Sequence, residues 1–213
     1  MKRAFDLFFS FHILLLLFPF LLLVALIIFL YDGGAVFYKA PRVGLHGKMF
    51  KMFKFRTMVL NADKIGPSST TRSDPRITPV GRFLRKTKLD EMPQFINVFI
   101  GNMSVVGPRP DVKSFTDLFD EKEKAILSVK PGITDYASVW NADEAAILEG
   151  AEDPDKMYME KIWPEKKRLQ LKYVAEHSMK TDIRIIILTL QAVISPSSVR
   201  ERAADAAEGS DSQ

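Results

Sequence analysis

Residues 5–31 are almost entirely Leu, Phe, Ile, Val and Ala, with Asp6, Ser10 and His12 as polar breaks confined to the first part. Such a run is a membrane segment. Its apolar core, residues 13–30, reaches about 27 Å as a helix, long enough to cross a bilayer once. The flanks oppose a simple crossing. Lys2 and Arg3 precede the run, and Lys39, Arg42, Lys48, Lys51, Lys54 and Arg56 follow it with no acidic residue between positions 36 and 60. Positive flanks favour the cytoplasmic side, so both ends belong there. Pro19, near the middle, removes a helical hydrogen bond and predicts a bend. The expectation is a re-entrant helix that enters and leaves by one face. A signal peptide fits less well, because the run is long for an h-region and no clear A-x-A site follows.

The rest of the 213 residues suits one compact domain. We divide the chain into the membrane helix at 1–35, a cytosolic domain at 36–199, and a tail at 200–213 rich in Ala, Glu, Ser and Asp and expected to be disordered. Cysteine is absent, which excludes disulfides and thiolate chemistry. The net charge of +4 is modest but unevenly distributed.

Residues 36–39 and 48–55 alternate as strands joined through Gly44-Leu45-His46-Gly47, predicting a β-hairpin. Its interleaved Lys and Phe/Met residues suit anionic headgroups, aromatics inward and ammonium groups toward lipid. A nucleic-acid stripe is the rival, and a membrane tether argues against it. His46 reads as a turn residue. Residues 61–79, rich in Ser, Thr, Pro and Asp, read as a loop, and 81–88 as a basic helix or turn.

Next comes Lys88-Leu89-Asp90-Glu91-Met92-Pro93-Gln94. Pro93 is tolerated in a first helical turn, which puts a helix start near Asp90, and Gly101 marks its end. Asp90 and Glu91 then occupy a positive helix end among Arg82, Arg85, Lys86 and Lys88. Capping alone explains such a pair. The alternative is chemical: an anion site that holds two carboxylates needs a divalent cation, so one acid could attack phosphorus while the other holds magnesium.

Downstream, Arg109 is fixed between Pro108 and Pro110, which suits either a rigid turn or a phosphate contact. Residues 114–129 have helical spacing. Tyr136 and Trp140 suit stacking on a ring or burial in a core. Residues 157–179 read as an amphipathic helix with Lys161, Lys166, Lys167, Arg168 and Lys172 on its wet side, able to lie on the bilayer, and 181–194 as a second apolar helix too short to span.

Four blocks in order resemble the bacterial sugar transferases, monotopic polyprenyl-phosphate phosphoglycosyltransferases. They are Lys54-Phe55-Arg56-Thr57-Met58, the stretch from Arg85 to Gln94, Met103 through Pro110, and Pro131-Gly132-Ile133-Thr134. The resemblance implies an α+β fold with a re-entrant membrane helix, a small β-hairpin and a mostly helical catalytic domain with interfacial amphipathic helices. It implies Asp90 as phosphoryl-accepting nucleophile, Glu91 as the Mg²⁺ ligand, Arg85 and Arg109 as phosphate contacts, and Lys54 and Arg56 as weaker candidates for that task. The partners it implies are a UDP-sugar donor, a polyprenyl phosphate acceptor and the lipid bilayer, with no nucleic acid, at the cytoplasmic face of a bacterial inner membrane. The product would be a polyprenyl-diphosphate-sugar for surface polysaccharide or glycoconjugate synthesis. Two departures stand out: Lys88 where the pattern has a small or neutral residue, and residues 135–141, which depart from the stretch tied to the donor's nucleotide end. A non-catalytic membrane-surface protein binding anionic lipid or polyprenyl phosphate is the alternative reading, and direct glycosyl transfer, releasing UDP, a third.

Overall fold

The computed structural model describes residues 1–66, 70–71, 73–142 and 144–194. The apolar run forms one helix, α1 (Lys2–Asp32), whose backbone stays helical through Pro19. Gly33, at φ 67°, ends it in the left-handed conformation that glycine adopts without steric cost. The helix is long and apolar enough to cross a membrane. It does not stand away from the domain. Phe5, Phe9, Ile13 and Leu14 pack on one core cluster and Leu21, Val24, Ala25 and Ile28 on another, while Leu16, Leu22, Leu23 and Leu30 are exposed.

Polar groups fasten both ends. Asp6, 2% exposed, accepts from Ser104 Oγ and Val105 N at 3.0 Å each. Arg3 donates to the carbonyls of Val98 and Phe99 at 2.6 and 2.9 Å, and Lys2 pairs with Asp182. At the other end Arg56 pairs with Asp32.

The predicted hairpin forms from β1 (Phe37–Val43) and β2 (Met49–Phe55), antiparallel with Tyr38 opposite Lys54 and Arg42 opposite Phe50. His46 sits in the turn at φ 55°, as its Gly-flanked position suggested. The loop that follows holds a 3₁₀ turn (Ala62–Lys64) and a single bridge from Met58 to Ile77; residues 67–69 and 72 of that predicted loop lie outside the described residues. Thr78 caps α2 (Pro79–Lys86) by accepting from Gly81 N at 2.9 Å.

A 3₁₀ turn (Leu89–Glu91) precedes α3 (Gln94–Ile100), which stops at Gly101, φ 94°. The acidic pair therefore lies in its own turn ahead of the α-helix, a correction to the helix start expected near Asp90. β3 (Ser104–Val106) pairs in parallel with β4 (Gly132–Thr134). Between them the helix expected over 114–129 is reduced to a single turn, α4 (Lys113–Thr116), and a 3₁₀ segment (Glu123–Ser128). Asp120 accounts for the break: its carboxylate caps the second segment by accepting from Lys122 N and Glu123 N at 2.8 Å.

The short helices α5 (Tyr136–Trp140), α6 (Glu144–Ile147) and α7 (Pro154–Met157) lead through a π-helical turn (Tyr158–Ile162) to α8 (Trp163–Glu176) and α9 (Met179–Ile194). Tyr136 is a core residue. Of the wet face expected for 157–179, Lys161 and Arg168 are exposed, while Lys166 is a correction. Trp163, Lys166, Leu169, Gln170 and Tyr173 are buried on one face of α8; Lys166 is paired with Asp111 and Lys167 with Glu123. The expected tail at 200–213 lies outside the described residues.

Candidate active site

The Lys54-to-Met58 block alternates between tasks, as a strand's period of two requires. Lys54 Nζ donates to Glu91 Oε1 at 3.0 Å. Phe55 is buried against α1 and α2. Arg56 turns to Asp32, so it braces the end of α1 and is not among the groups acting on the acidic pair. Thr57 Oγ1 accepts from Arg85 Nε at 2.8 Å. The lipid-facing role expected for the ammonium groups of β2 therefore fails for Lys54, which points inward.

Arg109 is held from every side. Its backbone N–H donates to Asp135 Oδ2 at 3.0 Å, and its carbonyl accepts from Gln170 Nε2 at 3.0 Å. Its guanidinium forks onto Glu91, Nη1 to Oε2 at 3.0 Å and Nη2 to Oε1. Asp135 also caps α5 through Ser138 N at 2.7 Å. Sequence reasoning missed Asp135 as the support of Arg109. A local signal existed only for its cap, since Asp is a favoured N-cap ahead of a helical stretch; the contact with Arg109 spans 26 residues.

The two carboxylates differ sharply. Glu91 is shared by Arg109 and Lys54. Burial alone would raise its pKa, but those two cations outweigh burial and hold it well below the usual carboxylate range. Asp90 is 7% exposed and accepts no hydrogen bond among the described residues. Burial, then the neighbouring Glu91 charge, pushes its pKa up against the opposing pull of Lys54, Arg85 and Lys88. Burial likewise lowers Lys54 and Arg85, with Glu91 and Asp90 respectively opposing. Lys88 sits at φ 57°, a left-handed backbone that disfavours a side chain by about 1–2 kcal/mol and turns the chain out of α2 into the acidic turn. That conformation gives a physical reason for a small residue there.

The structure thus brings Asp90, Glu91, Lys54, Arg85 and Arg109 together and directs Arg56 elsewhere. Among the described residues no group of three or more His, Cys, Asp or Glu side chains converges. The donor set still fits magnesium in kind, since that ion is held by one or two carboxylates with substrate phosphates and water completing its shell. A carboxylate offers about four lone-pair sites; the cation contacts on Glu91 take three, Lys54 and Arg109 at Oε1 and Arg109 at Oε2. A cavity of about 370 Å³ at the hairpin's turn end is lined by Val43, His46, Met49, Lys113 and Ser128, and by none of these residues.

Fold and site define a small α+β domain fixed to an apolar helix, with an acidic pair set among cations. The chain belongs to the bacterial sugar transferases, whose family model matches residues 1–196. It is 38% identical over 198 residues to the UDP-glucose:undecaprenyl-phosphate glucose-1-phosphate transferase of Escherichia coli (strain K12), covering 89% of this chain and 39% of that one. It is 35% identical over 207 residues to the exopolysaccharide production protein ExoY of Sinorhizobium fredii, covering 90% and 84%. With the exopolysaccharide production protein PSS of Rhizobium leguminosarum bv. phaseoli it shares 38% over 198 residues, covering 89% and 93%. The chain therefore spans about two fifths of the Escherichia coli relative and most of the length of the other two.

Proposed function

We propose that this protein transfers a phosphosugar from a UDP-sugar to a membrane polyprenyl phosphate through a covalent intermediate on Asp90, releasing UMP. One observation carries the reading: Asp90 is a buried residue whose carboxyl accepts no hydrogen bond among the described residues, beside a second carboxylate that two cations hold in place. A structural acid would be paired. A nucleophile is left free to bond. The names of relatives, among them a glucose-1-phosphate transferase acting on undecaprenyl phosphate, support the same class of reaction.

In the first step an Asp90 oxygen bonds to the sugar-bearing phosphorus while the bond to the bridging oxygen breaks, its electron pair leaving on UMP. In the second, the polyprenyl phosphate oxygen displaces Asp90 and the carboxylate is regenerated. Repulsion between anions is the main barrier, and Arg85, Lys54 and Arg109 offset it. Arg85 suits phosphate contact, since Nε is spent on Thr57 while its terminal nitrogens make no hydrogen bond among the described residues. Bound magnesium, held by Glu91, would add positive charge on the phosphate oxygens.

The path of α1 supports membrane attachment from one side. A helix whose two ends are both fastened to one domain does not set them on opposite faces of a bilayer, which fits a re-entrant segment with the domain on the cytoplasmic face.

The test is nucleotide release across a panel of UDP-sugars with polyprenyl phosphate in detergent. UMP appearing with wild type and absent with Asp90→Asn, together with a phosphosugar adduct on Asp90 by mass spectrometry, is expected. Release of UDP would overturn the reading in favour of direct glycosyl transfer, and binding of polyprenyl phosphate without turnover would leave a lipid clamp.

A further inference from the structure

Thr57 belongs to a block that the chemistry above uses only in part. Lys54 reaches Glu91 and Arg56 turns to Asp32, which leaves the threonine after them without an assigned task. It is 6% exposed, and the start of α2 fixes its backbone. Its carbonyl accepts from Thr78 N at 3.0 Å and from Thr78 Oγ1 at 3.3 Å, and a Cβ on Gly81 would stand 1.9 Å from that same oxygen. The first turn of α2 therefore lies directly on Thr57.

Arg85 follows Gly81 by four residues, so it stands one turn further along the same face of the helix. Docking α2 on the Thr57 backbone thereby carries the Arg85 side chain to the Thr57 hydroxyl, which accepts from Nε at 2.8 Å. Threonine suits this task because its branched Cβ restricts χ1 and so fixes where the oxygen points. The guanidinium is planar, and an anchor on Nε restricts the plane in which its two terminal nitrogens lie. That anchor is the only hydrogen bond Arg85 donates from its side chain among the described residues. A neutral oxygen holds the group, and its charge is left for another partner.

We infer that Thr57 is a positioning residue: its hydroxyl fixes the Arg85 guanidinium so that both terminal nitrogens meet the transferred phosphate together. This rests on the functional reading above, in which Arg85 contacts that phosphate. A mobile guanidinium would have to be ordered as charge develops on the phosphate oxygens, whereas one already held supplies two donors without that reorganisation. The rival is structural, with Thr57 only seating α2 through its backbone.

The full chain in detergent, as wild type, Thr57→Val, Thr57→Ser, Arg85→Met and the double variant of Thr57→Val with Arg85→Met, is assayed for UMP release from a panel of UDP-sugars with polyprenyl phosphate, and each melting temperature is recorded. Valine keeps the shape and removes the acceptor. Thr57→Val should lower donor kcat/KM by about tenfold per folded molecule, and Thr57→Ser should recover most of the loss. In the Arg85→Met background Thr57→Val should cause no further loss, because the hydroxyl acts only through the guanidinium. Full activity in folded Thr57→Val would overturn the inference. So would losses that multiply in the double variant, or a loss that Ser does not recover and that a fall in melting temperature accounts for; either would leave Thr57 as the seat of α2. Absence of UMP from wild type with every UDP-sugar would overturn the functional reading and this inference with it, a failure visible before any variant is compared.

Discussion

Arg109 grips Glu91 at two points, Nη1 on Oε2 at 3.0 Å and Nη2 on Oε1, while Lys54 holds Oε1 from the hairpin. The pair joins the acidic turn to the connector after β3. Neither side chain is more than about a quarter exposed, with Arg109 at 27% and Glu91 at 18%. Removing Arg109 leaves Glu91 with Lys54 alone, so Arg109→Ala should cost about 1–3 kcal/mol of stability. Arg109→Lys keeps the charge and loses the fork. Denaturation of both variants, with a double-mutant cycle against Glu91→Gln, measures the coupling, and additive losses would show that the pair contributes nothing.

Asp90→Asn separates function from structure. The carboxyl accepts no hydrogen bond among the described residues and burial opposes its charge, so the neutral amide should leave the melting temperature unchanged or slightly higher while UMP release falls to background. Glu91→Gln should behave in the opposite sense for stability, because it removes a charge that two cations are arranged around. Thermal melts of the two variants check this. A destabilised Asp90→Asn would return Asp90 to the ranks of capping residues.

How far the sequence disclosed this arrangement depended on range. The hairpin was legible because Lys and Phe/Met alternate, and the end of α3 because Gly101 supplies the positive φ a helix stop uses. The acidic turn was legible as a chemical feature, and the resemblance named Lys54 and Arg109 as phosphate contacts, but their pairing with Glu91 was not legible. Lys54 lies 37 residues from Glu91 and Arg109 lies 18 away, separations no local pattern encodes. The same reason hid Lys166, whose acid Asp111 is 55 residues upstream; without that partner a lysine on a helix reads as solvated. The β3–β4 pair escaped because three-residue strands carry too little alternation to detect.

Asp6 gives a prediction that hydropathy alone would reverse. Replacing it with Leu lengthens the apolar run, yet its carboxylate satisfies Ser104 Oγ and Val105 N in a buried place. Asp6→Leu should therefore loosen α1 from β3, costing about 1.5–3 kcal/mol for a buried, charge-assisted contact. Limited proteolysis near residues 33–36 and thermal melts in detergent read the change. Equal protection in the variant would show the contact to be dispensable.

Acid should act on the loop before α2. Asp74 takes a two-point contact from Arg76, with Nε at 3.0 Å from Oδ1 and Nη2 at 2.6 Å from Oδ2. This hydrogen bonding holds its pKa below the ordinary aspartate value, against the opposing effect of burial. A lowered folded pKa means the stabilisation is complete above the unfolded value, about 3.9, and is lost as pH falls through the folded one. Asp74→Asn should thus melt below wild type at neutral pH, with the gap closing under about pH 4. A gap that stays constant into acid would show that the pair's charge plays no part.

Arg109 also depends on two glycines it never touches. β3 and β4 approach so closely that a Cβ on Gly132 would meet Gly107 N at 2.1 Å, and one on Gly107 would meet Lys130 O at 2.4 Å. Both obstacles are backbone, so neither can swing aside. Gly132→Ala must part the strands, breaking Gly107 N to Thr134 O and Gly132 N to Pro108 O, each 3.0 Å, immediately before Arg109. The fork on Glu91 then opens and Glu91 is left to Lys54. The expected result is a loss of UMP release of about tenfold or more, exceeding what reduced stability explains. Activity per folded molecule, measured below the variant's melting temperature, separates the two effects. Full activity in folded Gly132→Ala would show that the close approach of β3 and β4 does not place Arg109.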